Sequence, residues 1–335
     1  MHIVRRTCGR ALALTAALLL AAPVGGAFAA ETEQVTIRFL ASQGGLAAHE
    51  LADALGYFNG TGITLKNVGY AQGGPASLFA LASGDVEVGG AATAAVLNSV
   101  AGGNDFVAAY ASNGINKTTE SIFYTLEGSP IHSIKDLAGK TIAVNTLGAH
   151  LDYTVREALH SVGLPENAAK LVVVPGPQLE QVLRSKQVDI AAFGYWQKTF
   201  EGAALKNGPL QKVLGDTDVL GEIAGGFAVL RRDWIMQHPQ AAKIFVEKSE
   251  AALEYARLHP EETKAVIAKV LASRGENADI AQYFTGYGVR EGGKAVTRDL
   301  QFWIDILARG GVLRPGQLKA EDILYDPAKF AVAGN

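Results

Sequence analysis

The sequence predicts an α/β fold with two successive strand–helix series and a helical tail. Short β-branched or alternating apolar runs are each followed by a segment with helical periodicity, and short glycine-containing links join them. From residue 232 onward only helical periodicity continues. Because strands joined through helices by short links form right-handed βαβ units, we expect mainly parallel sheets.

The first series follows from apolar runs that end at glycine turns. Pro75 fits the start of its helix, because the first residues of a helix need no amide partner. The predicted strands cover residues 35–40, 63–68, 86–90 and 106–110, and the predicted helices cover residues 46–58, 93–101 and a segment that opens at 72–75 and ends at 83.

The second series begins after the polar stretch 112–120 and repeats the architecture, although not the sequence, of the first. Its predicted strands cover residues 121–126, 141–144, 171–174, 189–193 and 225–230, with helices over 133–137, from about 150 to 162, and over 178–185. The tail is predicted to form helices over residues 239–258, 260–271, 278–284 and 296–307.

The first residues have the layout of a secretory signal peptide. Three arginines precede the apolar run 11–22, which breaks at Pro23 and is followed by an A-x-A site ending at Ala29. A membrane span needs roughly 20 apolar residues, so residues 1–29 are predicted to be a cleaved leader. The pair Arg5-Arg6 leaves both the general secretory route and the twin-arginine route open.

Removing the leader changes the composition. The chain has 30 Lys and Arg against 33 Asp and Glu; the leader carries three Arg and no acid, which leaves 27 against 33. This acidic balance argues against a nucleic-acid or anionic-membrane partner. The only cysteine, Cys8, leaves with the leader and is misplaced for lipid attachment, so no thiol remains for a disulfide, a metal or a nucleophile.

Motifs for catalysis are incomplete. Gly139-Lys140-Thr141 lacks the first glycine of a P-loop, and no G-x-S-x-G motif occurs. His49-Glu50 begins like a zinc-protease helix, but Asp53 stands where the second histidine belongs, which favours a surface His–Asp pair. The seven histidines lack the spacing of a zinc site, so neither a metal nor another cofactor is expected.

Four links between a strand and a helix consist of small and polar residues. They cover residues 42–45, 72–75, 89–93 and 145–149. In open α/β sheets, ligands bind beyond the carboxyl ends of strands, where such links converge and free amides are available. The sequence therefore predicts a ligand-binding cleft, although glycines also serve simply to make tight turns.

Short motifs in a fixed order give the chain a family resemblance. Residues 55–63 resemble a "G-x-F … G-I" pattern, 78–103 (with 82–89 at its centre) an "L-x-x-G-x-I-D" helix–strand unit, 134–144 an "I-x-D-L-K-G-K-x-V" opening, and 187–196 a "V-D-A … W" segment. The chain thereby resembles the periplasmic substrate-binding proteins of ABC importers of the sulfonate, taurine and nitrate type, over essentially its whole length after the leader. It departs at Gln197-Lys198, where the family often has proline, and it lacks the clustered cysteines of an enzyme in the related pyrimidine branch.

The resemblance implies a type II periplasmic binding protein: two Rossmann-like α/β lobes joined by a two-crossing hinge, with the C-terminal helices on lobe 1. Lobe 1 would comprise residues 30–119 and 226–335, and lobe 2 residues 120–225. The implied function is a periplasmic, non-enzymatic receptor, for which a monomer suffices. It would deliver a small molecule to an inner-membrane permease that works with a cytoplasmic ATPase.

The absence of Arg and Lys from the four links leaves the ligand open. Amides and hydroxyls would suit a sulfonate, whereas nitrate, bicarbonate or a neutral pyrimidine or aromatic compound are alternatives. Alternatives of another class are an extracytoplasmic sensor and a secreted hydrolase or lyase using Ser42 or Thr146 with His150. The candidate ligand-binding residues are Gln43, Gly44, Gly45, Gly73, Gly74, Ala92, Thr93, Tyr110, Asn113, Thr146, Gly148, Ala149, His150, Tyr195 and Trp196.

Overall fold

A computed structural model describes residues 33–116 and 119–330 of the chain. The predicted signal peptide, residues 1–29, lies outside the described residues. The described residues group as one compact unit. Within the described ranges, no helix is both long enough and apolar enough to cross a membrane.

Ten strands and thirteen α-helices alternate along the described residues. The strands are β1 Val35–Ala41, β2 Ile63–Tyr70, β3 Val88–Ala92, β4 Phe106–Ile115, β5 Ile122–Leu126, β6 Thr141–Val144, β7 Lys170–Val173, β8 Ile190–Phe193, β9 Leu210–Gly215 and β10 Ile223–Arg231. The helices are α1 Ala48–Ala54, α2 Gly74–Ser83, α3 Thr93–Ala101, α4 His150–Ser161, α5 Leu179–Arg184, α6 Lys198–Lys206, α7 Thr217–Leu220, α8 Arg232–Gln237, α9 Pro239–Leu258, α10 Pro260–Ser273, α11 Thr297–Arg309, α12 Ala320–Ile323 and α13 Pro327–Phe330.

The strands form three sheets, and antiparallel pairing is more common than the sequence suggested. β1 pairs with β2; β10 lies between β3 and β4; the third sheet has the order β7-β6-β8-β5-β9. Only the pairs β1–β2, β6–β7 and β6–β8 are parallel, while β10 and β5 run antiparallel to both of their neighbours. The expectation of mainly parallel sheets was therefore wrong. β9 was not predicted, and both β10 and β5 join their sheets without a parallel crossover.

The predicted helical tail is confirmed where its periodicity was strongest. α9 has the predicted bounds, and its apolar residues Ala242, Phe245, Val246, Leu253 and Ala256 are buried. They pack in one cluster with β1, β4 and α1, in which Phe245 stacks on Phe58 at 6.2 Å between ring centroids. The tail segment after α10 differs, because residues 278–283 form a 3₁₀ helix rather than an α-helix.

Glu250, on α9, gives stability a measurable pH dependence. Its burial raises its pKa from 4.5 to about 7, and Lys294 only partly offsets this. Because the folded state then holds a proton that the unfolded state releases, the free energy of unfolding should fall as the pH rises from about 4.5 to 7.

Glu250→Gln removes this titration. We expect its free energy of unfolding to fall less than that of the parent between pH 5 and pH 8, by about 1–2 kcal/mol after allowance for partial solvent screening. Urea denaturation at both pH values measures the difference. Glu262→Gln, at an exposed position of α10, is the control, and equal slopes for the parent and Glu250→Gln would refute the prediction.

Candidate functional site

One cavity lies where the loops after β1, β2, β6 and β8 meet the strands β3 and β4. Its volume is about 290 Å³. The loops and helix starts that follow strands of the five-stranded sheet supply residues 145, 146, 149, 175–177 and 195–200 to its wall, and the elements of the other two sheets supply most of the remainder. The cavity therefore lies between the two groups of strands, where the sequence predicted a cleft.

Most of the predicted site residues lie in this wall, on loops far apart in the sequence. Tyr195 connects the two sides, because its hydroxyl donates to Asn113 Oδ1 over 2.8 Å. The part that the predicted site residues play in ligand binding stays a prediction. The twelve wall residues among those predicted are Gln43, Gly44, Gly45, Gly73, Gly74, Ala92, Tyr110, Asn113, Thr146, Ala149, Tyr195 and Trp196.

The structure places three predicted residues outside the wall. The Thr93 hydroxyl is buried and donates to the Ala224 carbonyl over 3.3 Å. The Gly148 amide donates to Asp152 Oδ2 over 2.7 Å, which closes the first turn of α4. His150 is fully buried, and its Nε2 lies 2.7 Å from Asp216 Oδ2. Each group is used in local or interior packing, so none faces the cavity.

His49 also differs from the expected surface pair with Asp53. Its ring is buried and lines the cavity. The ring atom Nδ1 lies 2.7 Å from the Tyr110 hydroxyl oxygen. Burial, and secondarily the charge of Arg274, lowers the pKa of His49 to about 3, so the ring is neutral at pH 7. Asp53 stays exposed. The sequence around His49 does not indicate its partner, because Tyr110 lies 61 residues later in the chain.

Lys198 is the cationic wall residue, among the described residues, that was not predicted from the sequence. It begins α6, outside the four small-residue links, and its Nζ lies 2.5 Å from Glu201 Oε2. Tyr124 donates its hydroxyl to the other carboxylate oxygen over 2.8 Å, and burial together with Glu201 raises the pKa of that hydroxyl. The departure from the family pattern at Gln197-Lys198 was the available signal.

The loop at residues 42–45 is held from two sides. The Gly44 amide donates to Glu276 Oε2 over 2.6 Å, so the segment after α10 fixes the loop from one side. From the other side, Thr199 donates its hydroxyl to the Gly44 carbonyl over 3.1 Å. The helix α6, which follows β8 of the five-stranded sheet, thus contacts the loop after β1 at the cavity wall.

The wall shows no catalytic arrangement in the described residues. His150, the proposed base of a hydrolase, has no hydrogen bond with Ser42 or Thr146 in this part of the chain and is instead paired with Asp216. Residues 33–116 and 119–330 also contain no group of three or more His, Asp or Glu that could hold a metal ion. The described wall provides an enclosed space lined by aromatic rings, backbone amides and one lysine.

Similar solved structures define the class of fold. The periplasmic aliphatic sulphonate binding protein of Escherichia coli has a TM-score of 0.66 at 18% identity, covering 87% of this chain and 92% of its own. The alkanesulfonate-binding protein of Xanthomonas axonopodis pv. citri, bound to MOPS, has a TM-score of 0.66 at 17% identity, covering 88% and 99%. The nitrate-binding protein of Synechocystis PCC 6803 has a TM-score of 0.65 at 14% identity, covering 87% and 86%. The chain therefore has the periplasmic binding protein fold.

The family model described as "NMT1/THI5 like" matches residues 46–263, more than half of the chain. The chain belongs to the NMT1/THI5-like family. A search of curated protein sequences finds no match. The resemblance and the α/β fold class inferred from the sequence motifs are thereby confirmed.

Proposed function

We propose that the chain is the ligand-binding component of an ABC import system in the periplasm. It would capture a small organic anion, such as an alkyl or aryl sulfonate or a taurine-like compound, and deliver it to a membrane permease. The observation that carries the proposal is the 290 Å³ cavity, enclosed between two groups of strands and lined by aromatic rings, amides and an ammonium group. Cavities of this kind bury most of a small ligand and fix it through a few polar groups.

The arrangement of the sheets supports a two-lobed mechanism. The five-stranded sheet lies wholly within residues 122–215, whereas the sheet β3-β10-β4 uses strands on both sides of that segment and the sheet β1-β2 precedes it. We propose that residues 120–225 move against the remainder, with the chain crossing after β4 and the crossing near Gly225 as the hinge. A monomer provides the complete cavity.

A neutral pyrimidine or other aromatic ligand is the second candidate. The wall contains Tyr110, Tyr195, Trp196, Phe200 and Tyr287, and these rings provide stacking surface for a flat molecule. Family membership does not distinguish the two candidates, so the difference has to be measured.

A binding panel tests the proposal. We expect isothermal titration calorimetry of the purified protein to detect butanesulfonate, benzenesulfonate or taurine with dissociation constants of about 1 μM or lower, which corresponds to about 8 kcal/mol of binding free energy. Nitrate, bicarbonate and a neutral pyrimidine complete the panel. Tight binding of the pyrimidine alone would favour the second candidate. Turnover of a compound, without binding of any panel member, would refute a receptor.

A further inference from the structure

Among the described residues, the charged side chains of the cavity wall are of one sign. Lys198 is its only cationic side chain among the described residues, and no Asp or Glu of these residues lines it. His49 adds no charge at neutral pH, since burial lowers its pKa to about 3. An anion entering the cavity would therefore meet one cationic residue, whose ammonium group is paired with Glu201 outside the wall, and no carboxylate in the wall.

Glu201 and Tyr124 hold Lys198 from outside the wall. Glu201 is 4% exposed; its Oε2 accepts from Lys198 Nζ at 2.5 Å, and its Oε1 accepts from the Tyr124 hydroxyl at 2.8 Å. Neither Glu201 nor Tyr124 lines the cavity. An ammonium group carries three donors, and among the described residues only Glu201 takes one, so two are left for a ligand.

We propose that Lys198 determines specificity by donating to the charged oxygens of the ligand, and that Glu201 positions its ammonium group. The ligand class is a compact organic anion, a sulfonate or a carboxylate, whose apolar part lies against Tyr195 and Trp196. This inference rests on the proposed function and adds which residue recognises the charge. It also gives a physical role to the Gln197-Lys198 departure from the family pattern.

The same segment joins charge recognition to the contact over the cavity. Thr199, the next residue, donates to the Gly44 carbonyl, and Phe200 packs against Gly44. An anion held by Lys198 therefore stabilises the position of the residues that contact the opposite side. Ligand binding and closure of the cavity are coupled through α6.

The test compares a charged ligand with its neutral analogue. Titrations use butanesulfonate, pentanoate and butanesulfonamide against the parent and Lys198→Met. We expect Lys198→Met to weaken binding of the anion by about 10- to 100-fold, as expected for a hydrogen bond to a charged group, and to change sulfonamide binding less than about threefold. The sulfonate and the carboxylate arms show which anion the site prefers.

Three further variants keep the test decisive. Lys198→Met leaves Glu201 buried without its cation, so the double variant Lys198→Met/Glu201→Gln removes both charges and should lose the anion to the same extent while remaining folded. Lys206→Met, at an exposed position of the same helix, is the control and should bind like the parent. Lys198→Arg should restore most of the anion affinity.

The failures are distinguishable. Undiminished binding of the anion by Lys198→Met and by the double variant would overturn the role of Lys198 and leave the receptor function standing. Equal binding of the sulfonamide and the anions by the parent protein would also overturn it. If the parent binds no probe and no member of the panel, the proposed function fails, and this inference fails with it.

Discussion

Replacing Asp216 with alanine is expected to lower the free energy of unfolding by about 3–5 kcal/mol, the cost of breaking a buried ionic or charge-assisted pair. Asp216 and His150 are both fully buried, and their side chains meet at 2.7 Å. The second Asp216 oxygen accepts from the Ser121 amide over 3.0 Å. The substitution therefore leaves a buried amide and a buried imidazole unsatisfied.

The imidazole has no alternative partner in the described structure. Its Nδ1 already lacks a hydrogen bond, and the ring is packed against Tyr195, Trp196 and Trp303 at 5.2, 6.0 and 5.5 Å between centroids. These rings shield the imidazole from water, so the loss of the carboxylate leaves a buried polar group whose desolvation is poorly compensated.

Urea denaturation followed by circular dichroism measures the loss. Asp305→Ala, at an exposed position of α11, should change stability by less than about 0.5 kcal/mol. A loss below about 1 kcal/mol for Asp216→Ala would contradict the prediction. A double-mutant cycle with His150→Ala should also show coupling, the double variant losing less than the sum of the two single losses.

Gly44→Ala is expected to weaken binding of butanesulfonate by about tenfold or more, whereas Gly45→Ala should leave it within about twofold. Gly44 has a φ of +70°, which costs a residue with a Cβ atom about 1 kcal/mol or more. A Cβ there would also lie 2.8 Å from Phe200 Cζ and 3.2 Å from Ile280 Cδ1. Phe200 would have to withdraw, and the adjacent contact of Thr199 with the Gly44 carbonyl would weaken.

Gly45 is a matched control, because it lines the same cavity and a Cβ there meets nothing within 4 Å. Calorimetric titration of both variants measures the affinities, and thermal unfolding without ligand separates a loss of affinity from a loss of stability. Similar affinities for Gly44→Ala and Gly45→Ala would show that contact over the cavity does not contribute to binding.

Local pattern predicted the elements well and their pairing less well. The strand at 35–40 and the helix at 239–258 could be predicted from local sequence. The spacing of apolar residues within each segment determines which of its faces is buried. The segment 223–231 was recognised as a strand, but its place between β3 and β4 depends on residues more than a hundred positions away. No local pattern reports such pairing.

The candidate site was predicted at the level of loops and not of every side chain. Small residues after a strand mark where a ligand can approach the backbone, and twelve of the fifteen predicted residues line the cavity. His150 was assigned to the same loop edge, but its ring faces the interior because Asp216, 66 residues later, offers a buried acceptor. The direction in which a side chain points depends on contacts with residues whose spatial positions cannot be read from the sequence.

The sequence by itself determined the strand–helix alternation, the family and the loops that reach the cavity, because periodicity and glycine turns act over a few residues. Only the tertiary structure decided that Lys198 enters the wall, that Tyr124 on β5 holds the Glu201 carboxylate beside it, and that Thr199 meets Gly44 at the cavity wall. The contact between Thr199 and Gly44 joins α6 to the loop after β1, and it exists because packing of the sheets brings the ends of distant strands together.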